Sequence, residues 1–211
     1  IYILPFLREV YYIPMREAFG YSNTQMGIVH GVYGTFSLIT YFPGGWLADR
    51  FEARKLISLA LIGSALGGFY LSSLPHYSGV LAIHAHLGIC TSLVFWSAMI
   101  KATRCWAESE NQGRAFGILE SGRGITELGL SAALLAVFGL LGGSSKDFAT
   151  IILLLSSANL ILAVLAWLFL ENEVAISSKT SSLVPKFSQL FDVIKLPYMW
   201  LIATVVFCSY C

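Results

Sequence analysis

Three charged residues stand inside an apolar stretch of the chain: Glu120, Arg123 and Glu127, within residues 115–141. An ionised side chain at the centre of a lipid-spanning helix costs roughly 2.5–3.5 kcal/mol. A segment that only had to fill lipid would not keep all three. At about 100° per residue, Glu120 and Glu127 fall about 20° apart and Arg123 about 60° to one side, so a single helical stripe carries them. A rise of about 1.5 Å per residue from Ala115 puts Glu120 about 8 Å in, Arg123 about 12 Å and Glu127 about 18 Å, close to the middle of a hydrocarbon core about 30 Å thick. Such a stripe offers three kinds of chemistry. The guanidinium can receive an anionic group, the midplane carboxylate can take up and release a proton, or Arg123 can hold Glu120 or Glu127 in a static pair that fixes helix packing.

Other candidates are scattered through the apolar segments. Arg8 and Glu9 precede Pro14 by about six residues and point about 100° apart, so one of them can face a polar interior, with Arg8 a cation for an anionic group. If their helix ends early, both are interfacial. His84 and His86 are two residues apart and about 200° around a helix, which prevents joint chelation of a metal. His30 shares a small-residue stripe with Gly27, Gly31 and Gly34, a pattern for close helix packing. Among Tyr11, Tyr12, Tyr33, Tyr41 and Trp96, Tyr33 and Trp96 have the depth to line a cavity. Cys90, Cys105, Cys208 and Cys211 lack the spacing of a disulfide framework or zinc site and read as packing thiols. No cofactor or metal is expected.

The elements that must position these residues follow from composition. Of 211 residues, 56% are apolar and 12% charged, and the mean hydropathy is +0.73. That is about half the usual share of charge, too little to clothe a soluble domain. A net charge of +1 gives no electrostatic footprint for a nucleic-acid backbone. The partner is the lipid bilayer. Spans are expected at roughly 1–15, 24–47, 56–74, 79–100, 115–141 and 148–170, with a seventh from about 197. Nothing alternates like a barrel strand, so the fold class is an all-α, polytopic membrane helix bundle. The chain opens and closes inside apolar stretches, and a piece of a longer protein is expected, with the first span cut short.

Local signals punctuate the spans. Ser22 and Gln25 have capping-box spacing, Ser72–Gly79 with Pro75 reads as a turn, and Gly142, Gly143, Ser144 and Ser145 precede the sixth span. Residues 171–196 form a linker in which Phe187, Leu190, Phe191 and Ile194 space as an interfacial helix. Arg50, Arg54, Lys55, Lys101, Arg104, Arg114, Lys179, Lys186 and Lys195 all fall on one side of the spans, against Arg16 and Lys146 on the other. The positive-inside rule puts the rich side, with the N-terminus and central linker, in the cytoplasm.

Between the second and third spans the chain reads Gly45-Trp46-Leu47-Ala48-Asp49-Arg50-Phe51-Glu52-Ala53-Arg54-Lys55. This resembles the signature loop of the major facilitator superfamily, which lies at that place on the cytoplasmic side. Asn111-Gln112-Gly113-Arg114-Ala115-Phe116-Gly117 entering the fifth span and Leu196-Pro197-Tyr198-Met199-Trp200 opening the seventh extend the resemblance over the whole chain. It departs from the family pattern where Glu52 replaces the turn glycine and Ala53 a basic residue. His84 stands four residues before Gly88, where many members carry arginine. The fifth span lacks the Gly-Pro pair of the drug and proton antiporters, which argues against a drug exporter.

The resemblance implies the N-terminal six-helix half of a twelve-helix transporter plus the start of the seventh helix, with the C-terminal half as a missing partner. It implies a cytoplasmic gate built on Gly45, Asp49, Arg50, Arg54 and Arg114, with Asp49 pairing with Arg50, Arg54 or a neighbouring helix N-terminus; a simple headgroup anchor is the competing role. It also implies secondary active transport of a small polar organic solute by alternating access, with proton symport favoured. Arg8 and Arg123 suit an anionic metabolite, whereas Glu9, Glu120 and Glu127 equally suit a cation. Tyr33, His84 and Trp96 complete the candidate substrate or proton site. A transporter-like sensor that binds solute and signals without moving it shares every one of these motifs. An enzyme is disfavoured, since no nucleophile elbow or metal-spaced His pair is present.

Overall fold

The computed structural model describes residues 1–107, 109–170, 196–198, 200, 201 and 204. Every regular element among them is helical: α1 (Leu7–Val10), α2 (Tyr12–Phe19), α3 (Asn23–Arg50), α4 (Ala53–Ser72), α5 (Tyr77–Gly88), a π-helical stretch (Ile89–Trp96), α6 (Ser97–Trp106), a 3-10 turn (Ser109–Asn111), α7 (Gln112–Leu141) and α8 (Ser145–Phe169). α5, the π stretch and α6 run on as one rod, Tyr77–Trp106. The chain divides into Ile1–Ile176, which holds all these elements, and Ser177–Cys211, whose described residues 197, 198, 200, 201 and 204 are helical. The interfacial helix expected at Phe187–Ile194 lies outside the described residues, as do Lys179, Lys186, Lys195, Cys208 and Cys211.

Four helices among the described residues are long and apolar enough to cross a bilayer: Ala53–Ser72, Tyr77–Trp106, Gln112–Leu141 and Ser145–Phe169. α3 has the length, about 42 Å for its 28 residues, but is more polar than these four. The first span, expected as one helix over 1–15, is instead broken at Tyr11 (φ −116°, ψ 39°). Pro14 is the physical cause, because its ring would clash with the carbonyl of Val10 in a continuous helix. In the first turn of α2 it deprives no backbone partner.

The cap expected at Ser22 forms, and a second capping box, not singled out from the sequence, starts α8. Gln25 N–H donates to Ser22 Oγ at 3.2 Å and Ser22 N–H to Gln25 Oε1 at 2.9 Å, which starts α3. Asp147 N–H donates to Ser144 Oγ at 3.3 Å and Ser144 N–H to Asp147 Oδ2 at 2.8 Å, which starts α8. Between α7 and α8, Gly142 (φ 112°) and Gly143 (φ 76°) take the left-handed conformations that a side chain resists, and Gly143 N–H closes the helix on the Phe138 carbonyl at 3.2 Å.

Two buried clusters hold Ile1–Ile176 together. One gathers Leu4, Leu7, Tyr11 and Met15 against Phe148, Ile151, Ile152 and Leu155 of α8, with Leu71, Ile83 and Leu87. The other packs Ala48, Ala53, Ala60, Ala98 and Ala163 with Leu56, Leu61 and Val94, small residues that let helices approach closely. α4 lies on α8 through Gly68, where an added Cβ would overlap Ser156 Oγ and stand 3.0 Å from Leu4 Cδ1. Gly68→Val is therefore expected to destabilise the bundle by about 1–3 kcal/mol through overpacking. Thermal unfolding of the purified protein would show it, and a melting temperature equal to that of the parent would contradict the packing.

α3 rests on the rod at two glycines. A Cβ on Gly44 would stand 2.9 Å from the Leu93 carbonyl, and one on Gly88 2.8 Å from the Tyr33 carbonyl. α7 is different. Its only buried residues are Ala115 near one end and Leu134 and Phe138 near the other, so the length between them packs only lightly. That leaves the Glu120–Glu127 stripe beside a crevice rather than in a core.

Candidate functional site

The crevice is a cavity of about 440 Å³ bounded by the first residues of the chain, α7 and α8. Leu119, Gly122, Arg123, Thr126 and Glu127 line it from α7, Leu155 and Asn159 from α8, and Tyr2 and Leu4 from the N-terminal segment. Its wall is mainly apolar with a few polar groups, the composition usual for a small-molecule site.

Arg123 is the best-held polar group there. Its Nη1 lies 3.1 Å from Glu120 Oε1 and 3.0 Å from Glu120 Oε2, one turn earlier on the same helix. Its guanidinium carbon lies 5.4 Å from the centre of the Tyr2 ring and 5.1 Å from that of Trp96. Two aromatic rings and one carboxylate thus fix the orientation of a half-buried cation, whose attraction to ring faces is strongest where water is excluded. Tyr2 in turn meets Trp96 edge-on at 6.3 Å, and Tyr41 of α3 packs on Trp96 at 6.3 Å.

The π stretch explains how Trp96 reaches this position. In an α-helix, Thr91 and Trp96 would lie about 140° apart, whereas an i→i+5 turn stacks them on one side. Tyr2 exploits that register: its hydroxyl donates to the Thr91 carbonyl at 3.4 Å while its ring touches Trp96. The Thr91 hydroxyl is shared with the Tyr33 hydroxyl at 3.2 Å. Tyr33 is buried there, and Phe6 and His30 pack on its ring at 5.3 and 5.9 Å.

The remaining sequence candidates divide. Glu127 lines the cavity with Arg123 but makes no ion pair among the described residues; Glu120 takes that partner. Arg8 is half-buried and Glu9 exposed, both within electrostatic range of His30 rather than lining the cavity. His84 is fully buried with Nδ1 2.9 Å from the Val80 carbonyl, a helix-internal bond, and does not line the cavity. His86 Nε2 lies 2.9 Å from the Gly63 carbonyl and 3.4 Å from Cys90 Sγ. Tyr2, Thr91 and Asn159 were not among the sequence candidates. Asn159 carries a readable signal, the one amide in the mainly apolar α8, whereas Tyr2 and the π register carry none.

At the other set of candidates, the two arginines lie over tryptophans. Arg50 sits over Trp46 at 4.7 Å and Arg54 over Trp167 at 4.8 Å, with Arg54 Nη1 donating to the Trp167 carbonyl at 3.5 Å. The Asp49 pairing with Arg50 or Arg54 is not made: Asp49 is exposed and has no ion pair among the described residues. Gly45 is open to space, and its neighbour Gly44 makes the close helix contact. Arg114 is exposed at the start of α7, where Gln112 Nε2 ties that helix to the end of α6 by donating to the Arg104 and Ala107 carbonyls at 3.0 and 2.7 Å.

An all-helical bundle with four helices long and apolar enough to cross a bilayer defines a multi-pass membrane protein. The chain belongs to the Major Facilitator Superfamily, whose family model matches residues 9–211. It is 30% identical to the inner membrane protein YqcE of Escherichia coli K12, over 97% of this chain and 49% of that protein. It is 32% identical to the inner membrane protein YihN of the same strain, over 100% of this chain and 51% of that protein. A more distant match, 23% identical over 52% of this chain and 25% of the relative, is the D-galactonate transporter of Escherichia coli O6:H1. The chain spans about half the length of the two inner membrane proteins it matches.

Proposed function

We propose that this chain forms the N-terminal half of a secondary transporter of the cytoplasmic membrane that moves a small anionic organic solute together with protons by alternating access. The observation that carries the reading is Arg123, which meets the rings of Tyr2 and Trp96 at 5.4 and 5.1 Å at the wall of a cavity of about 440 Å³. A cation so fixed meets an anionic group without first losing side-chain freedom, which favours binding. Glu120 and Glu127 on the same stripe supply carboxylates that can carry the proton. The distant relative named for D-galactonate transport fits an organic anion of this kind. Charge placement puts the Arg50, Arg54 and Lys101 end of the bundle, the N-terminus and the linker in the cytoplasm, with Gly45, Asp49, Arg50, Arg54 and Arg114 in its gate. Arg8, Glu9, Tyr33 and His84 are proposed to act from the α1–α3–α5 side, against a cavity completed by the other half of the transporter.

The test is binding and uptake by the intact protein in proteoliposomes, with a panel of organic and sugar acids, sugar phosphates, sugars and organic cations under an inward proton gradient. Anion accumulation with proton entry is expected. Accumulation of cations alone would reverse the cargo assignment, and binding without movement under any gradient would make the protein a sensor.

A further inference from the structure

Resting on this reading of the cavity, we infer that Asn159 of α8 is its selectivity residue: the amide hydrogen-bonds a hydroxyl group of the cargo, so the site takes hydroxylated acids and rejects their deoxy analogues. Asn159 is only 5% exposed, yet it makes no hydrogen bond among the described residues. A buried polar side chain left without a partner costs stability, and such groups are few in native proteins. An asparagine kept in a membrane helix for packing bonds across to a neighbouring helix, which Asn159 does not do. Ser156, one turn before it and equally buried, shows the usual solution, its hydroxyl donating to the Ile152 carbonyl at 2.7 Å. Nor is the amide sealed in a dry core, because Asn159 lines the cavity together with Leu155, Ala158 and Leu162 of the same helix. Its partner comes from what the cavity receives.

The chemistry of a carboxamide narrows that partner. The charged side chains of the cavity wall, Arg123 and Glu127, stand on α7, whereas α8 contributes this one neutral polar group among apolar ones. An amide offers two N–H donors and a carbonyl acceptor. A carboxylate only accepts, so it would satisfy the donors and strand the carbonyl; an ammonium group would do the reverse, and an alkyl chain would strand both. A hydroxyl donates and accepts at once and fits both halves of the amide. An acid whose carboxylate goes to Arg123 on α7 therefore presents a hydroxyl to α8. An analogue without that hydroxyl leaves the buried amide unpaired, which is how a site of this kind discriminates between solutes of nearly the same shape.

The experiment measures equilibrium binding of D-gluconate and its single-deoxy analogues to the purified intact protein, in the parent and in Asn159→Leu, Asn159→Ala and Arg123→Ala, with a melting temperature for each form in the absence of solute. Asn159→Leu keeps the shape of the side chain, and Asn159→Ala adds no bulk to the cavity. In the parent, at least one deoxy analogue is expected to bind about tenfold more weakly than gluconate. In both Asn159 variants that gap is expected to close to about twofold or less, because gluconate weakens and the analogue does not, while Asn159→Leu melts no lower than the parent. A gap that survives in both variants, no discrimination in the parent, or a uniform loss of all probes with a lowered melting temperature in Asn159→Leu would overturn the assignment and make Asn159 a packing residue. Arg123→Ala is expected to weaken every probe alike and leave the gap in place. Parental binding in Arg123→Ala with a gap that still closes in the Asn159 variants would overturn the anion reading of the cavity alone, and gluconate and its analogues bound by no form would overturn both.

Discussion

On the proposed function, replacing Arg123 with alanine in the intact protein is expected to reduce anion uptake by about thirtyfold while leaving the protein in the membrane at parental levels. Three partners set the size of the effect. The guanidinium rests against the neighbouring rings of Tyr2 and Trp96, and Glu120 pairs with it at 3.0 Å, so the cation is pre-positioned. Removing one partner of a desolvated, hydrogen-bonded charge pair costs roughly 2–5 kcal/mol of binding, and the partly exposed setting here argues for the lower end. The fold is expected to tolerate the change, because this part of α7 packs against little: only Ala115, Leu134 and Phe138 of the helix are buried. Arg123→Lys separates charge from shape. It keeps the cation but not the planar edge or ring stacking, and recovery of less than a tenth of parental uptake is expected. Initial-rate uptake with a membrane-level control measures both, and full activity in Arg123→Ala would remove the residue from the site.

The second large effect is expected at Asp49, where an asparagine of nearly the same shape should cost at least tenfold in uptake and nothing in stability. Asp49 lies in the last turn of α3, where the carbonyl end of the helix disfavours a negative charge. It is exposed and unpaired among the described residues, while Arg50 and Arg54 beside it lie over Trp46 and Trp167. On the proposed function, such a carboxylate gains from a partner that meets it in one state of the transport cycle, and this is the basis of the predicted effect. Asparagine suits a helix C-terminus better, so melting temperature and transport should part company. Uptake at the parental rate in Asp49→Asn would leave this residue a simple anchor at the lipid headgroups.

Much of the fold was legible because lipid imposes one simple rule, that apolar stretches of the right length must be helices with satisfied backbones. The cap at Ser22 and the glycine break at Gly142 and Gly143 followed from local chemistry. The break at Tyr11 was not anticipated in a span expected over 1–15, because its position a turn before Pro14 depends on the ring's reach back to Val10. Within the site, helical periodicity put Glu120, Arg123 and Glu127 on one stripe, and the structure agrees as far as Glu120 and Arg123 bonding and Arg123 and Glu127 sharing a cavity. Periodicity could not say which carboxylate Arg123 prefers, since both lie within a turn or so of it. Nor could it reveal the two rings that meet the guanidinium. Tyr2 is some 120 residues from Arg123 in sequence, and Trp96 reaches the guanidinium only because Ile89–Trp96 winds as a π-helix, a departure from the 3.6-residue period on which the reading rested.

The most direct test of the account is proton flux in proteoliposomes of the intact protein, followed with an internal pH indicator on adding D-galactonate or another organic monocarboxylate outside, in the absence of any imposed gradient. Entry of protons with the anion, absent in Arg123→Ala, is the predicted result. Anion entry with no pH change, or proton entry that persists without Arg123, would contradict it.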